Sequence, residues 1–189
     1  MANLTRGLRV LLAGALLAGC GEKKVDWAAP ENLMLYEESS KEDNNARLEY
    51  WSLNDAPCKP IYDALVDVEH YPEFIPGVDR ANLLAVTENS KTAQVAQRVI
   101  SRQSNAKIEW KFDPAKMHIE FTTLSSDLSY GDGSYEFVSS PDGKRCLVKS
   151  KFLVKALEGQ PVPVGVLASG TRDSFLAAAK GVRKRVTGK

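Results

Sequence analysis

Apolar and polar residues recur with two different periods along this chain. Between residues 46 and 53 they alternate one by one, which is typical of a strand that buries one face. Residues 57–70 follow, with apolar positions at helical spacing. Pro72 and Pro76 then interrupt the pattern and leave room only for a second short helix. This part of the chain therefore predicts one strand followed by two short helices.

The period changes to two after residue 78. The first strand of this part follows residue 78, and turn sequences such as Pro-Asp-Gly separate five further alternating segments, which lie at 93–99, 107–112, 117–122, 135–137 and 145–155. The chain closes with a helix that starts near Pro163 and carries one apolar stripe. A strand, two short helices, six strands and a long helix predict an α+β fold, in which the long helix covers the apolar face of one curved antiparallel sheet.

The first 20 residues have the pattern of a secretory signal. Arg6 and Arg9 precede an apolar run at 10–17, which is too short to span a bilayer. Leu-Ala-Gly-Cys at 17–20 resembles the lipobox of bacterial lipoproteins, in which the cysteine, here Cys20, is diacylated and becomes the new N-terminus. An ordinary signal peptide with a chance cysteine is the alternative. We expect a signal peptide at 1–19 and a membrane anchor of acyl groups such as palmitate.

Residues 20–45 are expected to form a tether, because 37–45 is almost wholly polar. The tether also holds residues too apolar for a spacer, which could dock on the domain, on lipid headgroups or on a partner: Trp27, Leu33, Met34, Leu35 and Tyr36. We favour docking on the domain, which is expected to span 46–189. Gly21 replaces the Asp that retains enterobacterial lipoproteins in the inner membrane, which points to the outer membrane, facing the periplasm.

The charge and the composition of the chain limit the classes of partner that it is expected to bind. The chain has 25 basic and 24 acidic residues. This balance lacks the basic excess typical of nucleic-acid binding, so no nucleic-acid partner is expected. His70 and His118 have no second His or Cys at ligand spacing, and we therefore predict no metal site and no cofactor. A monomer is expected.

The stretch 58–78 resembles the signature of START-like (SRPBCC) domains. An acidic residue, a Tyr-Pro pair and a Pro-Gly pair mark the helix-helix-strand junction of that family, and here they are Asp67, Tyr71-Pro72 and Pro76-Gly77. The nearest branch is the polyketide cyclase and coenzyme Q-binding group. The resemblance implies a helix-grip fold, a curved seven-stranded antiparallel sheet wrapped around a long C-terminal helix. Members bind sterols, phospholipids, quinones, polyketides or hormones, and some are enzymes.

The resemblance also implies an apolar cavity between the sheet and the helix. We expect its volume to be at least in the range of ordinary ligand sites, roughly 300–1,000 Å³. Its expected lining is Trp110, Phe112, Phe121, Tyr135, Phe137, Phe152, Leu167, Thr171 and Phe175. Any one of these aromatic residues could instead fill the core. Gln97, Thr123 and Ser150 are polar residues predicted to face inward, and the segment 127–133 is either a loop at the cavity mouth or a flexible turn that enters a strand.

In a helix-grip sheet the first and last strands are antiparallel neighbours. Cys58 follows the first strand and Cys146 begins the last, so we predict a disulfide between them, with two separate buried thiols as the alternative. Asp67 and His70 could suggest acid–base catalysis, but no third group supports them, and we interpret both as structural. No catalytic residue is assigned.

The leading interpretation is an envelope lipoprotein that binds or shuttles a lipid, an isoprenoid quinone or a similar hydrophobic molecule. One alternative is an enzyme of the cyclase or hydrolase type on such a substrate. The other is an adaptor that binds an envelope protein and has a filled cavity. The basic residues at the C-terminus either complement the helix dipole or contact anionic headgroups.

Overall fold

The computed structural model describes residues 24–99, 102–159 and 162–188. Cys20 and the predicted signal peptide lie outside these residues. The elements in chain order are β1 (Asn32–Glu42), β2 (Asn45–Asn54), α1 (Cys58–Val66), a 3₁₀ turn (Val68–His70), α2 (Tyr71–Phe74), β3 (Val78–Val86), β4 (Ser90–Val99), β5 (Arg102–Asp113), β6 (His118–Ser126), β7 (Ser129–Ser139), β8 (Cys146–Ala156) and α3 (Val164–Thr187). Within the described part of the chain, no helix is long and apolar enough to cross a membrane.

The strands form one antiparallel sheet in the order β1-β2-β8-β7-β6-β5-β4-β3. The long helix α3 packs against this sheet and contacts β1, β2, β4 and β8. The short helices α1 and α2 lie beside it and contact α3, β7 and β3. The architecture is therefore α+β, with a long C-terminal helix on one sheet, as the alternation of periods predicts.

The expected count of seven strands is wrong by one, because the segment 20–45, for which we expect a tether whose apolar residues dock on the domain, contains the additional strand β1. Met34 packs against the core, and the ring of Tyr36 lies 5.0 Å from that of Trp51 on β2. Further along β1, residues 37–41 are exposed, yet their backbone pairs with β2. Backbone hydrogen bonds to a neighbouring strand can hold a polar edge strand that its own side chains do not predict.

One end of the sheet is closed by a disulfide and by the short helices. The sulfurs of Cys58 and Cys146 are bonded at 2.03 Å, and Asn54 of β2 pairs with Cys146 of β8. We call this the disulfide end. Gly181 of α3 meets α2 here so closely that a Cβ atom would collide with the carbonyl oxygen of Phe74. Glycine is required because its backbone can approach another backbone.

Candidate functional site

A cavity of about 210 Å³ lies between the sheet and α3. Its walls come from the inward-facing residues of β4 to β8, from residues 167–178 of α3, and from the junction 75–78 between α2 and β3. These elements leave the space because α3 crosses the sheet over its strands, while α1 and α2 cover the disulfide end and reach the cavity only through Leu65 and Tyr71. The walls are mostly apolar.

The structure places seven of the nine expected residues on this cavity: Trp110, Phe121, Tyr135, Phe152, Leu167, Thr171 and Phe175. The other two, Phe112 and Phe137, are buried in the core at the disulfide end. The ring of Phe137 packs edge-on against Tyr62 of α1, with centroids 5.4 Å apart. Expecting these two on the cavity was wrong, because α1 covers this part of the sheet.

The cavity is smaller than the expected range, and its own aromatic rings are the reason. Phe175 stacks on Tyr50, with centroids 5.0 Å apart. Phe152 lies 5.8 Å from Phe121 and 5.9 Å from Tyr135. Rings that pack against each other occupy space that the fold would otherwise leave empty. A second cavity of about 30 Å³ borders Phe175 as well, so this ring helps to divide the space.

Two phenols, that of buried Tyr71 and that of half-buried Tyr135, contribute hydrogen-bonding groups to the wall of the cavity. Burial raises the pKa of Tyr135 to about 12 and raises that of Tyr71 well above its ordinary value. Tyr71 donates its hydroxyl hydrogen to the carbonyl of Leu65, which fixes the ring between α1 and α2. Both groups therefore stay protonated at neutral pH, and Tyr135 can serve as a donor to a ligand head.

Inward-facing polar residues are divided between the two cavities. Gln97 and Thr123 line the main cavity, as their strand positions suggest. Ser150 instead borders the small cavity with Ser52 and Asn54. Its hydroxyl is fully buried and has no hydrogen-bond partner in the described part of the chain. Polar atoms that could orient a ligand therefore lie near β4 and β6.

The rim of the main cavity includes a place where β6 and β7 separate. Their pairing runs only from His118 with Glu136 to Thr122 with Asp132. Beyond it, residues 123–126 of β6 and 129–131 of β7 do not pair with each other, although β5 and β8 pair with them from the other side, and members of both segments border the cavity. In the segment 127–133, residues 127 and 128 form the turn that enters β7, and residues 129–132 of β7 border the cavity. This is the end of the sheet opposite the disulfide, and we call it the open end.

A carboxylate stabilises the turn that joins these two strands. The Asp127 side chain accepts hydrogen bonds from the Ser104 hydroxyl at 3.0 Å and from the Asn105 backbone at 2.9 Å. Burial alone would raise the pKa of Asp127, but these bonds more than offset it and the pKa is lowered. The β6–β7 turn is therefore tied to the start of β5, beside the rim.

Asp67 and His70 lie away from the cavity, at the junction that follows α1. His70 Nδ1 is 2.6 Å from Asp67 Oδ1, and Arg185 of α3 pairs with the same carboxylate. Neighbouring Glu69 pairs with Lys91 at 2.6 Å. The three acidic and imidazole groups lie within 4.8 Å of one another, but both carboxylates already have cationic partners. The cluster joins three elements, which supports a structural role.

Comparison of the sequence with known protein families gives a match to one family. A sequence model of the family described as polyketide cyclase / dehydrase and lipid transport matches residues 55–179. This range begins before α1 and extends into α3, so it contains all but the first elements. No curated protein sequence matches the chain.

Several solved structures share the fold. The Zhui aromatase/cyclase from Streptomyces sp. R1128 has 15% identity and a TM-score of 0.65 over 75% of this chain and 93% of that chain. A START superfamily protein from Mycobacterium smegmatis has 16% identity and a TM-score of 0.64 over 75% and 97%. A STAR-related lipid transfer protein from Xanthomonas axonopodis has 12% identity and a TM-score of 0.57 over 79% and 98%. At such identities the similarity establishes the fold, not the ligand.

Proposed function

Because this chain belongs to the polyketide cyclase / dehydrase and lipid transport family, in the START-like superfamily, we propose that it binds a hydrophobic molecule between its sheet and α3. The observation that carries the proposal is the apolar cavity of about 210 Å³ at that place. Apolar walls favour ligands whose surface is released from water on binding. The fold neighbours include an aromatase/cyclase and a lipid transfer protein.

The volume of the cavity and the polar residues on its wall favour one class of ligand. Its volume lies below the roughly 300–1,000 Å³ of ordinary ligand sites, which suits a single acyl or isoprenoid chain better than a bulky ring system. Gln97, Thr123 and Tyr135 border the cavity and can hydrogen-bond a polar head. An amphiphile with one flexible chain, such as a lipid or an isoprenoid quinone, fits these features.

Binding is favoured over catalysis by the state of the buried phenols. A general base works best when its pKa lies near the operating pH. The pKa of Tyr135 is about 12, and that of Tyr71 is also raised, so both phenols are donors rather than bases. As donors they can orient the polar head of a ligand. Among the described residues that line the cavity, only Arg98 and Asp132 are charged, and each already has an ion-pair partner outside the cavity. We therefore propose a carrier or a holder of its ligand.

The proposed location rests on the N-terminal sequence. The lipobox ending at Cys20 supports acylation at that residue and attachment to a membrane of the bacterial envelope. Gly21 supports the outer membrane, with the domain in the periplasm. Cys20→Ala should abolish lipid labelling and membrane fractionation, and unchanged labelling in this variant would contradict the proposal.

The decisive experiment identifies what the cavity holds. Full-length protein is purified from its native membrane, its lipids are extracted, and mass spectrometry compares them with those of the bulk membrane. A stoichiometric, enriched amphiphile is the expected result. Saturable uptake of the fluorescent probe N-phenyl-1-naphthylamine, displaced by the extract, places binding in one site. No enriched molecule together with no saturable probe uptake would refute the proposal.

A variant with a larger side chain in the cavity tests whether the probe binds there. In Phe175→Trp the larger ring extends into the cavity and should reduce probe uptake more than it reduces the free energy of unfolding. Leu124→Trp is the matched control, because Leu124 is 45% exposed and does not line the cavity. Equal uptake by the two variants would show that the probe binds elsewhere.

A further inference from the structure

The N-terminal segment reaches the domain at the disulfide end. Arg145, the residue before Cys146, donates hydrogen bonds to the carbonyl oxygens of Trp27 at 2.5 Å and Ala29 at 2.6 Å. Glu31 pairs with Arg183 near the end of α3 at 3.1 Å. From there β1 runs along β2 toward the opposite end of the sheet. The first attachment of the chain to the domain is therefore fixed beside the disulfide.

The cavity opens at the other end of the same strands and helix. Its lining includes Val99 at the end of β4, Ser129 at the start of β7 and Leu167 in the first turn of α3. Exposed Tyr130 and Arg98 also border it. Antiparallel topology places all of these at the open end, where β6 and β7 separate.

Two independent measures give the distance between the ends. On β8, Val154 borders the cavity eight residues after Cys146, which corresponds to about 26 Å of strand. On α3, Leu167 and Arg183 are sixteen residues apart, which corresponds to about 24 Å of helix. The attachment of the N-terminal segment and the rim of the cavity are thus about 25 Å apart.

The chain between the proposed anchor and the domain is too short to reverse this arrangement. Seven residue steps separate Cys20 from Trp27, and even fully extended they reach only about 24 Å. Turning the open end onto the anchoring bilayer would require this segment to pass the whole length of the domain while fully stretched. Stretching a chain to its limit opposes its conformational entropy, so the arrangement is disfavoured.

We propose that the disulfide end faces the membrane that anchors the protein, and that the cavity opens toward the aqueous side, away from that membrane. The inference rests on the proposed acylation of Cys20. Lys180 and Lys184 near the end of α3 agree with it, because both are exposed and neither forms an ion pair with a described residue. Lysines close to anionic headgroups are attracted to them electrostatically. The ligand consequently enters from the aqueous side and not from the anchoring bilayer.

Energy transfer to the membrane tests this orientation without any ligand. Acylated full-length protein is reconstituted on vesicles of phosphatidylcholine and phosphatidylglycerol that carry an acceptor dye on their headgroups. Single donors are attached to Lys184→Cys at the disulfide end or to Leu124→Cys at the open end; the native disulfide stays oxidised. Transfer from Lys184→Cys should be at least about twofold more efficient, since the two ends lie roughly 25 Å apart. A 30-residue Gly/Ser insertion after Cys20, with an r.m.s. reach of about 30 Å, should bring the ratio toward one.

Each outcome of the energy-transfer experiment either supports or overturns the proposed orientation. Equal transfer from the two positions at natural linker length, stronger transfer from Leu124→Cys, or a Cys20 that carries no acyl group would overturn it. Uptake of N-phenyl-1-naphthylamine by the same samples separates this result from the proposed function. Normal probe uptake with equal energy transfer would refute the proposed orientation alone. Stronger transfer from Lys184→Cys without probe uptake would refute the ligand-binding proposal alone.

Discussion

Phe175 gives the sharpest test of whether the space beneath α3 is a true cavity. Phe175→Ala should destabilise the fold by about 3 kcal/mol, the lower limit for removal of a buried phenyl ring. The value is low because part of the ring already borders empty space, on the main cavity and on the small one, and so forms fewer contacts. Its main loss is the stacking on Tyr50 at 5.0 Å. The variant joins the two cavities and should increase uptake of a bulky lipophilic probe.

Phe137→Ala is the matched control, because Phe137 and Phe175 are both 7% exposed. Phe137 packs in the core at the disulfide end and borders neither of the two cavities described above, so its removal should cost about 4–5 kcal/mol without a change in uptake. Urea unfolding measures the two costs, and a fluorescence titration measures uptake. Equal costs, with unchanged uptake in Phe175→Ala, would refute the reasoning that this ring borders a usable void.

Three further predictions concern the disulfide end. Replacing Cys58 and Cys146 by serine opens a loop with a sequence separation of 88 residues and should lower the free energy of unfolding by about 4–5 kcal/mol in urea, whereas a loss below about 1 kcal/mol would contradict the bridge. Gly181→Ala should cost about 3 kcal/mol or more by the same assay, because its Cβ collides with the backbone of α2, and an unchanged midpoint would contradict this close approach. The hydrogen bond that His70 donates to the Asp67 carboxylate raises the pKa of His70 above its ordinary 6.5. Protonation of His70 therefore stabilises the fold at low pH, and this contribution is lost as the pH rises through the raised value. Asp67→Asn should lower the His70 pKa in an NMR titration, and an unchanged pKa would exclude this cause.

Much of the fold is encoded in local periodicity, and β1 shows where that signal ends. The alternating segments and the final apolar stripe predict the sheet from β2 to β8 and the helix α3, because one face of each is buried. The exposed part of β1, residues 37–41, has no apolar face. It is a strand because β2 offers an unpaired edge and because Arg172 of α3 binds Glu37 at 2.8 Å. The ion pair joins residues 135 positions apart, and the pairing with β2 is made by backbone atoms, so neither contact appears in the pattern of side chains along 37–41.

The lining of the cavity shows a different limit of prediction from sequence. Trp110 and Phe112 are two residues apart on one face of β5, as are Tyr135 and Phe137 on β7. In each pair, the first residue lines the cavity and the second is core. Alternation identifies the face of a strand but not the helix that covers a given point along it. The boundary between core and cavity falls where α1 ends and α3 continues alone, which only the packing of three helices determines. The same packing sets the volume, since rings on one face either interlock or leave a gap according to a few ångströms of helix position.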